Sequence, residues 1–263
     1  VPLHLYLAPH LDDAILSCGG LIARQLRSGD SALVLTVFAG DPPAGPLSAL
    51  AEEVARRGQA AEDHVALRRA EDRAACERLG ASWLHWEYPD CIYRRDPATS
   101  ASLYPDVESI FGQIQPCERG ALAGGLAIRL QALCDACRPT TVYAPLTAGH
   151  HVDHHLVQWA ARRLSPRGWT LRFYEDYPYV AVPAFLEMVF EAGGRWLPEI
   201  EPLTPANLAA KIEAIACYRS QVPGLFRGEE PWPEVVKGYF HGLTTDGPAE
   251  RYWRPARPHE AVP

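Results

Sequence analysis

Three short apolar runs, LHLYLA (3–8), SALVLTVFAG (31–40) and TTVYAP (140–145), alternate with stretches whose apolar residues recur at three and four. That alternation limits the fold more than any other feature. Continuous apolar runs of this length suit strands buried on both faces, and the intervening period suits the helices that bury them. AILSCGGLIARQLRSG (14–29), AAEDHVALRRAEDRAACERLGA (60–81) and residues 119–137 read as helices, the second ending at Gly80 and the third closed by Pro139. SWLHWE (82–87) and the start of TLRFYEDYPYV (170–180) add strands, and VDHHLVQWAARRLS (152–165) adds a helix. The pattern predicts an α/β fold: a Rossmann-like, largely parallel sheet with helices on both faces, wound by right-handed crossovers.

GPLSALAEEVARRG (45–58) fits either a short helix or a mobile loop, and residues 88–118 are turn-rich and long enough for a functional loop. Beyond residue 180, AFLEMVFEAGG and TPANLAAKIEAIACYRS read as helices, with GRWLPEIEP between them as an edge strand. ERYWRPARPHEAVP (250–263) is expected to pack through its aromatics and then fray. No repeat or flexible linker interrupts the chain. One domain over 1–263 is therefore expected, with a core of 3–180 and an extension of the same sheet system over 181–263.

The formal net charge is -7, and the Arg-Arg pairs at 56–57, 68–69, 94–95 and 162–163 are scattered. Nucleic-acid binding normally needs a basic stripe, so no nucleic-acid partner is expected. No run approaches the apolar length of a membrane span, and the first residues read as a strand instead of a leader. The seven cysteines are odd in number and irregular in spacing, as in reduced cytoplasmic proteins. Cys134 and Cys137 have redox spacing but close a helix; a reactive pair wants the helix N-terminus, so packing is the better reading.

A dinucleotide site would need Gly-x-Gly-x-x-Gly after the first strand. The turn instead reads APHLDDAILSCGG, with two carboxylates where a diphosphate would sit. Ligands in open α/β sheets bind at the carboxyl ends of strands. PHLDD (9–13) and GHHVDHH (149–155) both follow predicted strands, so both clusters belong at that edge. Together they offer the nitrogen and oxygen donors of a catalytic zinc with three protein ligands and one open position. His10 and Asp13 can bind from one turn, leaving Asp12 beside the metal to deprotonate its water, whose pKa zinc lowers to roughly 7. His151 and His154, three apart at a helix start, can face inward as a third ligand and a donor to the oxyanion, in either order. Asp153 can hold an imidazole in its tautomer. Taken singly, each Asp fits a helix cap and the histidine run fits an adventitious metal binder. Two clusters at one sheet edge favour the shared site.

On these residues the chain resembles the zinc-dependent N-deacetylases of the PIG-L/LmbE-like family. The family's His-Pro-Asp-Asp and His-x-Asp-His motifs stand here as His10-Leu11-Asp12-Asp13 and His151-Val152-Asp153-His154. The resemblance implies His10, Asp13 and His154 as ligands of one Zn2+, or another divalent ion, with Asp12 as general base. It implies His151, protonated, as the group that polarises the carbonyl or protonates the leaving amine, buttressed by Asp153. RRAEDRAACERLG resembles the family helix whose arginine, here Arg68, reaches the sugar, with Glu71 at the accompanying position. Asp90 in YPDC resembles a pocket aspartate, and CYRSQ (217–221) a structural Ser-Gln motif.

Asp41 and Tyr93 join Arg68 and Asp90 as substrate-binding candidates, while Tyr104 and Trp86 could stack on a sugar, with core packing the default for Trp86. Leu11 and Val152 replace the usual prolines. Gly149 stands where some members carry an assisting tyrosine, and His150 and His155 fall outside the implied ligand set. The expected partner is a small-molecule N-acetylated sugar conjugate, with self-association left open. The alternatives are a metal-dependent hydrolase of an ester or non-sugar amide, or a binding protein with a vestigial metal site.

Overall fold

The computed structural model describes residues 1–57 and 64–256. Five strands lie parallel: β1 (Leu3–Ala8), β2 (Ser31–Thr36), β3 (Ser82–His85), β4 (Thr141–Pro145) and β5 (Thr170–Tyr174). Two more, β6 (Trp196–Pro202) and β7 (Ala249–Pro255), pair antiparallel, so the sheet runs β3-β2-β1-β4-β5-β7-β6. The first five strands carry the expected largely parallel architecture. β1 and β2 align from Leu3 with Ser31 to Ala8 with Thr36, and their side chains are mostly buried, as the unbroken apolar runs require.

Ten helices connect the strands of the described residues: α1 (Asp13–Arg27), α2 (Ala49–Arg57), α3 (His64–Leu79), α4 (Val107–Ile110), α5 (Pro116–Cys137), α6 (Val152–Ala161), α7 (Pro183–Glu191), α8 (Pro205–Ile215), α9 (Val222–Leu225) and α10 (Trp232–His241). The segment read as helix or loop is a helix, α2. Residues 60–63 of the next expected helix lie outside the described residues. Cys134 and Cys137 sit in the last turn of α5 as free thiols, one buried and one half-buried.

The tail departs from expectation. The segment read as aromatic packing is β7, inserted between β5 and β6, which leaves β6 as the edge. Its burial pattern does not alternate, because Ala249 and Trp253 on one face are buried as well as Glu250 and Tyr252 on the other. A strand with a buried carboxylate and two arginines hides its character in the sequence. The part expected to fray, 257–263, lies outside the described residues.

What allows Glu250 to be buried is Lys211 of α8, whose Nζ lies 2.7 Å from Glu250 Oε1 and donates to the Ser17 carbonyl at 3.0 Å. The carboxylate also accepts from the amides of Gly20 and Leu21 in α1, both at 2.9 Å, and from the Tyr252 hydroxyl at 2.8 Å. Neither charged residue is more than 1% exposed. This network ties α1, α8 and β7 together.

Strand order reverses between β1 and β4, which creates a crevice at their carboxyl ends. One rim of the crevice is pinned where the Gly40 amide donates to the Tyr88 carbonyl at 2.9 Å, just ahead of Asp90. A Cβ on Gly40 would come within 2.2 Å of the Glu87 carbonyl oxygen, and backbone cannot swing aside as a side chain can. Gly40→Ala is expected to cost about 1–3 kcal/mol, the range of overpacked sites. Chemical denaturation checks this; an unchanged midpoint would show that the rim yields freely.

Candidate metal centre and active site

β1 ends at Ala8, and the chain turns through His10 and Asp12 before α1 begins at Asp13. Asp13 Oδ2 accepts the His10 amide at 2.7 Å, which folds the turn back on itself. Asp12 takes φ +156°, a conformation that side-chain-bearing residues rarely adopt and that clusters at functional sites. Across the crevice, His151 is the N-cap of α6, its Nδ1 accepting the Asp153 amide at 3.2 Å. His154 follows one turn later, fully buried.

Two imidazole nitrogens converge on Asp13 Oδ2. His10 Nδ1 lies 3.4 Å from it and His154 Nε2 lies 3.3 Å from it. Ligand atoms at about 2.0–2.1 Å around a tetrahedral zinc stand about 3.3–3.4 Å apart, so these spacings fit a shared ion. His154 Nε2 is buried without a hydrogen-bond partner, as a ligand lone pair should be. Each histidine turns its other nitrogen to a carboxylate: His10 Nε2 to Asp153 Oδ2 at 3.0 Å, His154 Nδ1 to Asp176 Oδ1 at 2.6 Å. That carboxylate–histidine pairing is how proteins orient and strengthen imidazole ligands.

His10, His151 and His154 also bring one ligand atom each within 4.8 Å of one another, as do Cys91, His151 and Asp153, and His10, Asp90 and Asp153. The donor set fits a divalent cation, and so does the field. Burial opposes a charge on His154, yet Asp13 and Asp176 raise its pKa. Burial likewise opposes a charge on His10, and Asp90, Asp13 and Asp153 overcome it.

The two aspartates of the first motif part company. Burial pushes Asp12 up to about 7; Arg68 pulls it down and Asp13 pushes it up. Burial also raises Asp13, but His154 and His10 outweigh it and hold Asp13 below the carboxylate range. Such splitting is the signature of two carboxylates with different duties.

Most of the expected site residues meet here. Arg68 Nη2 stands 3.4 Å from Asp12 Oδ2, and Asp90 Oδ2 stands 3.5 Å from His10 Nε2. Others do not join the cluster. Asp41 pairs with Arg69 at 2.8 Å with its side chain 71% exposed. Tyr93 is buried with its hydroxyl 3.5 Å from His64 Nδ1. Tyr104 cannot stack on a sugar: it is fully enclosed and donates to Glu118 Oε2 at 2.5 Å. Trp86 is core, with the Arg129 guanidinium 4.2 Å above its ring. Ser220 is structural, its amide and hydroxyl bonding the Glu71 carboxylate at 2.9 and 2.6 Å.

Asp153 does not buttress His151 through its carboxylate. That group reaches His10, the Cys91 amide at 3.0 Å and the Arg94 guanidinium at 2.7 Å. The resemblance implied a protonated His151; here burial and His10 lower its pKa to about 3 against the pull of Asp153, which favours the neutral imidazole. With Nδ1 accepting, the hydrogen-bond network assigns its proton to Nε2.

Sequence reasoning missed Asp176, Arg94, Phe111 and Tyr179. Asp176 follows β5 at the same sheet edge as both motifs, so strand-end carboxylates were its available signal. Arg94 and Phe111 lie in the 88–118 loop, where no periodicity marks them. The Phe111 ring is 5.5 Å from that of His151, and the Tyr179 ring is 5.9 Å from His154. Tyr179 fills the space that Gly149 leaves, since a Cβ there would meet its ring at 2.8 Å.

Asp176→Asn should weaken metal binding about 10–100-fold, the usual effect of losing such a support. Competition with a chelating dye reads it. Wild-type affinity in a folded variant would remove Asp176 from the metal's support.

A family model described as PIG-L: GlcNAc-PI de-N-acetylase matches residues 5–165. The chain belongs to this family. It is 30% identical to the 2'-N-acetylparomamine deacetylase of Niallia circulans, over 95% of this chain and 89% of that one. The 2'-N-acetylparomamine deacetylase of Streptomyces fradiae is 34% identical over 84% of this chain and 71% of its own. Among solved structures, the zinc-inhibited form of a teicoplanin deacetylase superposes with a TM-score of 0.83 at 27% identity, over 98% of this chain and 100% of that one. This PIG-L family protein is a metal-dependent deacetylase with a candidate metal centre of histidines and carboxylates. Among its described residues no helix is long and apolar enough to cross a membrane.

Proposed function

We propose that the chain, working as one domain, removes the acetyl group from an N-acetylated amino sugar within a larger conjugate, with Zn2+ held by His10, Asp13 and His154. The observation that carries this reading is the convergence of His10 Nδ1 and His154 Nε2 on Asp13 Oδ2, with Asp12 beside them. The relatives named for N-acetylparomamine and teicoplanin support a sugar-bearing substrate over a free acetylamine.

When bound, the zinc ion acts as a Lewis acid that acidifies a water and polarises the amide carbonyl. Asp12, whose pKa burial raises above the usual carboxylate value, is placed to accept that water's proton. Arg68 keeps the Asp12 carboxylate oriented and stabilises its charged form before it takes the proton. As the water oxygen bonds to the carbonyl carbon, charge develops on the carbonyl oxygen, and the neutral His151 Nε2–H can donate to it. The C–N bond then breaks, the proton passes to the amine, and acetate leaves. Asp153 and Arg94 fix His10, and Asp176 fixes His154, so the site needs little rearrangement.

A panel of N-acetylglucosaminides, acylated amines and esters, offered to zinc-reconstituted protein, tests the reading. Acetate release confined to the N-acetyl sugars is the expected result. Faster cleavage of the amines or esters would move the function to another bond.

A further inference from the structure

α6 presents two histidine-bearing faces. His151 and His154 turn into the metal cluster, while His155, Gln158, Trp159 and Arg162 follow at helical spacing on the next face. That second face walls a cavity of about 630 Å³, closed on its other side by Gly112, Ile114, Arg119 and Ala123. The volume suits a small-molecule fragment.

The lining is electrically one-sided. Arg119, Arg162 and Arg163 all border the cavity, and among the described residues no Asp or Glu does. Elsewhere in this chain of net charge -7, Arg94, Arg172 and Arg251 sit on carboxylates. The three have no carboxylate partner among the described residues. Arg163 instead stacks on Trp159, its Cζ 3.2 Å from the ring centroid, and Arg162 lies 5.6 Å from the Trp196 ring. Arg119 donates only to neutral oxygens, Ile114 O at 3.2 Å and Gln113 Oε1 at 3.3 Å. His150, also in the lining, buries an Nε2 that has no hydrogen-bond partner.

The cavity adjoins the metal cluster. His150 precedes His151, His155 follows His154, and Gly112 follows Phe111, whose ring meets His151. From His155 to Arg162 it extends about 10 Å along α6, at 1.5 Å per residue.

We propose that this cavity is an anion subsite, which takes a carboxylate or phosphate carried beyond the N-acylated sugar. Planar guanidinium groups match the two oxygens of either anion, and the Trp159–Arg163 stack offers a face to a ring that bears it. Only the placement of the sugar rests on the deacetylase reading; the charge of the cavity does not.

Phenyl N-acetylglucosaminide and its 4-carboxyphenyl analogue are the probes, with calorimetric binding measured on metal-loaded Asp12→Asn protein to prevent turnover. The carboxylate probe is expected to bind at least about 10-fold more tightly, the smallest step for a charge-assisted hydrogen bond. In the Arg119→Gln/Arg162→Gln/Arg163→Gln protein that ratio should fall toward one. The corresponding triple lysine variant keeps the charge and should keep most of the ratio, which separates charge from damage to the fold. Equal binding of the two probes by the parent protein overturns the subsite, as does a ratio untouched by the glutamine substitutions. Inorganic phosphate identifies the source of the anion. Phosphate binding that weakens only the charged probe supports one shared anion subsite, whereas phosphate binding alongside the probe without loss of its affinity counts against the cavity as the carboxylate's seat. Should the wild type bind the carboxylate probe selectively yet release no acetate, the deacetylase reading fails and the subsite stands.

Discussion

Asp12→Asn lowers kcat by about 10²–10⁴-fold, the range for losing a general base, while the protein keeps its metal. The substitution is isosteric and removes only the capacity to accept a proton. Asp12 lies beside the ion-binding trio, so His10, Asp13 and His154 keep their donors. Its backbone, at φ +156°, suits asparagine at least as well as aspartate, so the turn should hold. The wild-type pH profile belongs to the same result. As the proposed base, Asp12 works as carboxylate, so kcat/KM falls on the acid side of the profile, at a pH that burial raises and the bound cation lowers. Arg68→Met removes the nearest positive charge and shifts that acid limb to higher pH, because Arg68 is what pulls Asp12 down. Metal analysis and stopped assays across pH decide the matter. An Asp12→Asn protein with full metal and near-normal turnover would refute the assignment of the base.

Lys211→Met is expected to destabilise the fold by about 3–5 kcal/mol, the cost of leaving one member of a buried ion pair alone. Methionine matches the length of the stem, so the loss is of charge more than of volume. Lys211 is fully buried, and burial lowers its pKa against the opposing pull of Glu250. Without the ammonium, Glu250 still accepts from Gly20, Leu21 and Tyr252, but its charge has no counter-ion inside the fold. Adding Glu250→Gln removes the stranded charge and should recover part of the loss. Denaturant titration of both variants gives the coupling directly. A single variant as stable as wild type would mean that the pair contributes nothing to joining α1, α8 and β7.

The parallel half of the sheet was legible because a strand buried on both faces must be apolar throughout, and β1, β2 and β4 are short enough to admit no other reading. The antiparallel half was less so. β6 shows its edge position through alternating burial, but β7 carries Glu250, Arg251 and Arg254, residues that strands ordinarily exclude. Their place is set by Lys211, 39 residues earlier in the chain, and by carboxylates such as Glu175, just past β5, and Glu199 in β6.

At the site, the residues contributed by each motif could be read locally, since His10 with Asp13 and His151 with His154 are held together by turn and helix geometry. Asp153 shows where local reading stops. Its neighbour in sequence is His151, yet its carboxylate crosses the crevice to His10, 143 residues away, because α6 aims it there. The lowering of the His151 pKa likewise comes from burial among other imidazoles, which no spacing encodes.

The sequence by itself determined the α/β architecture and the chemical types of the groups that meet at the candidate metal centre, because periodicity and donor type are properties of the chain. Tertiary structure alone decided which carboxylate supports which histidine, that Tyr179 occupies the room left by Gly149, and that three arginines face one cavity without an acid. These are matters of distance between remote segments and of shielding from water, and both come into being only when the chain closes on itself.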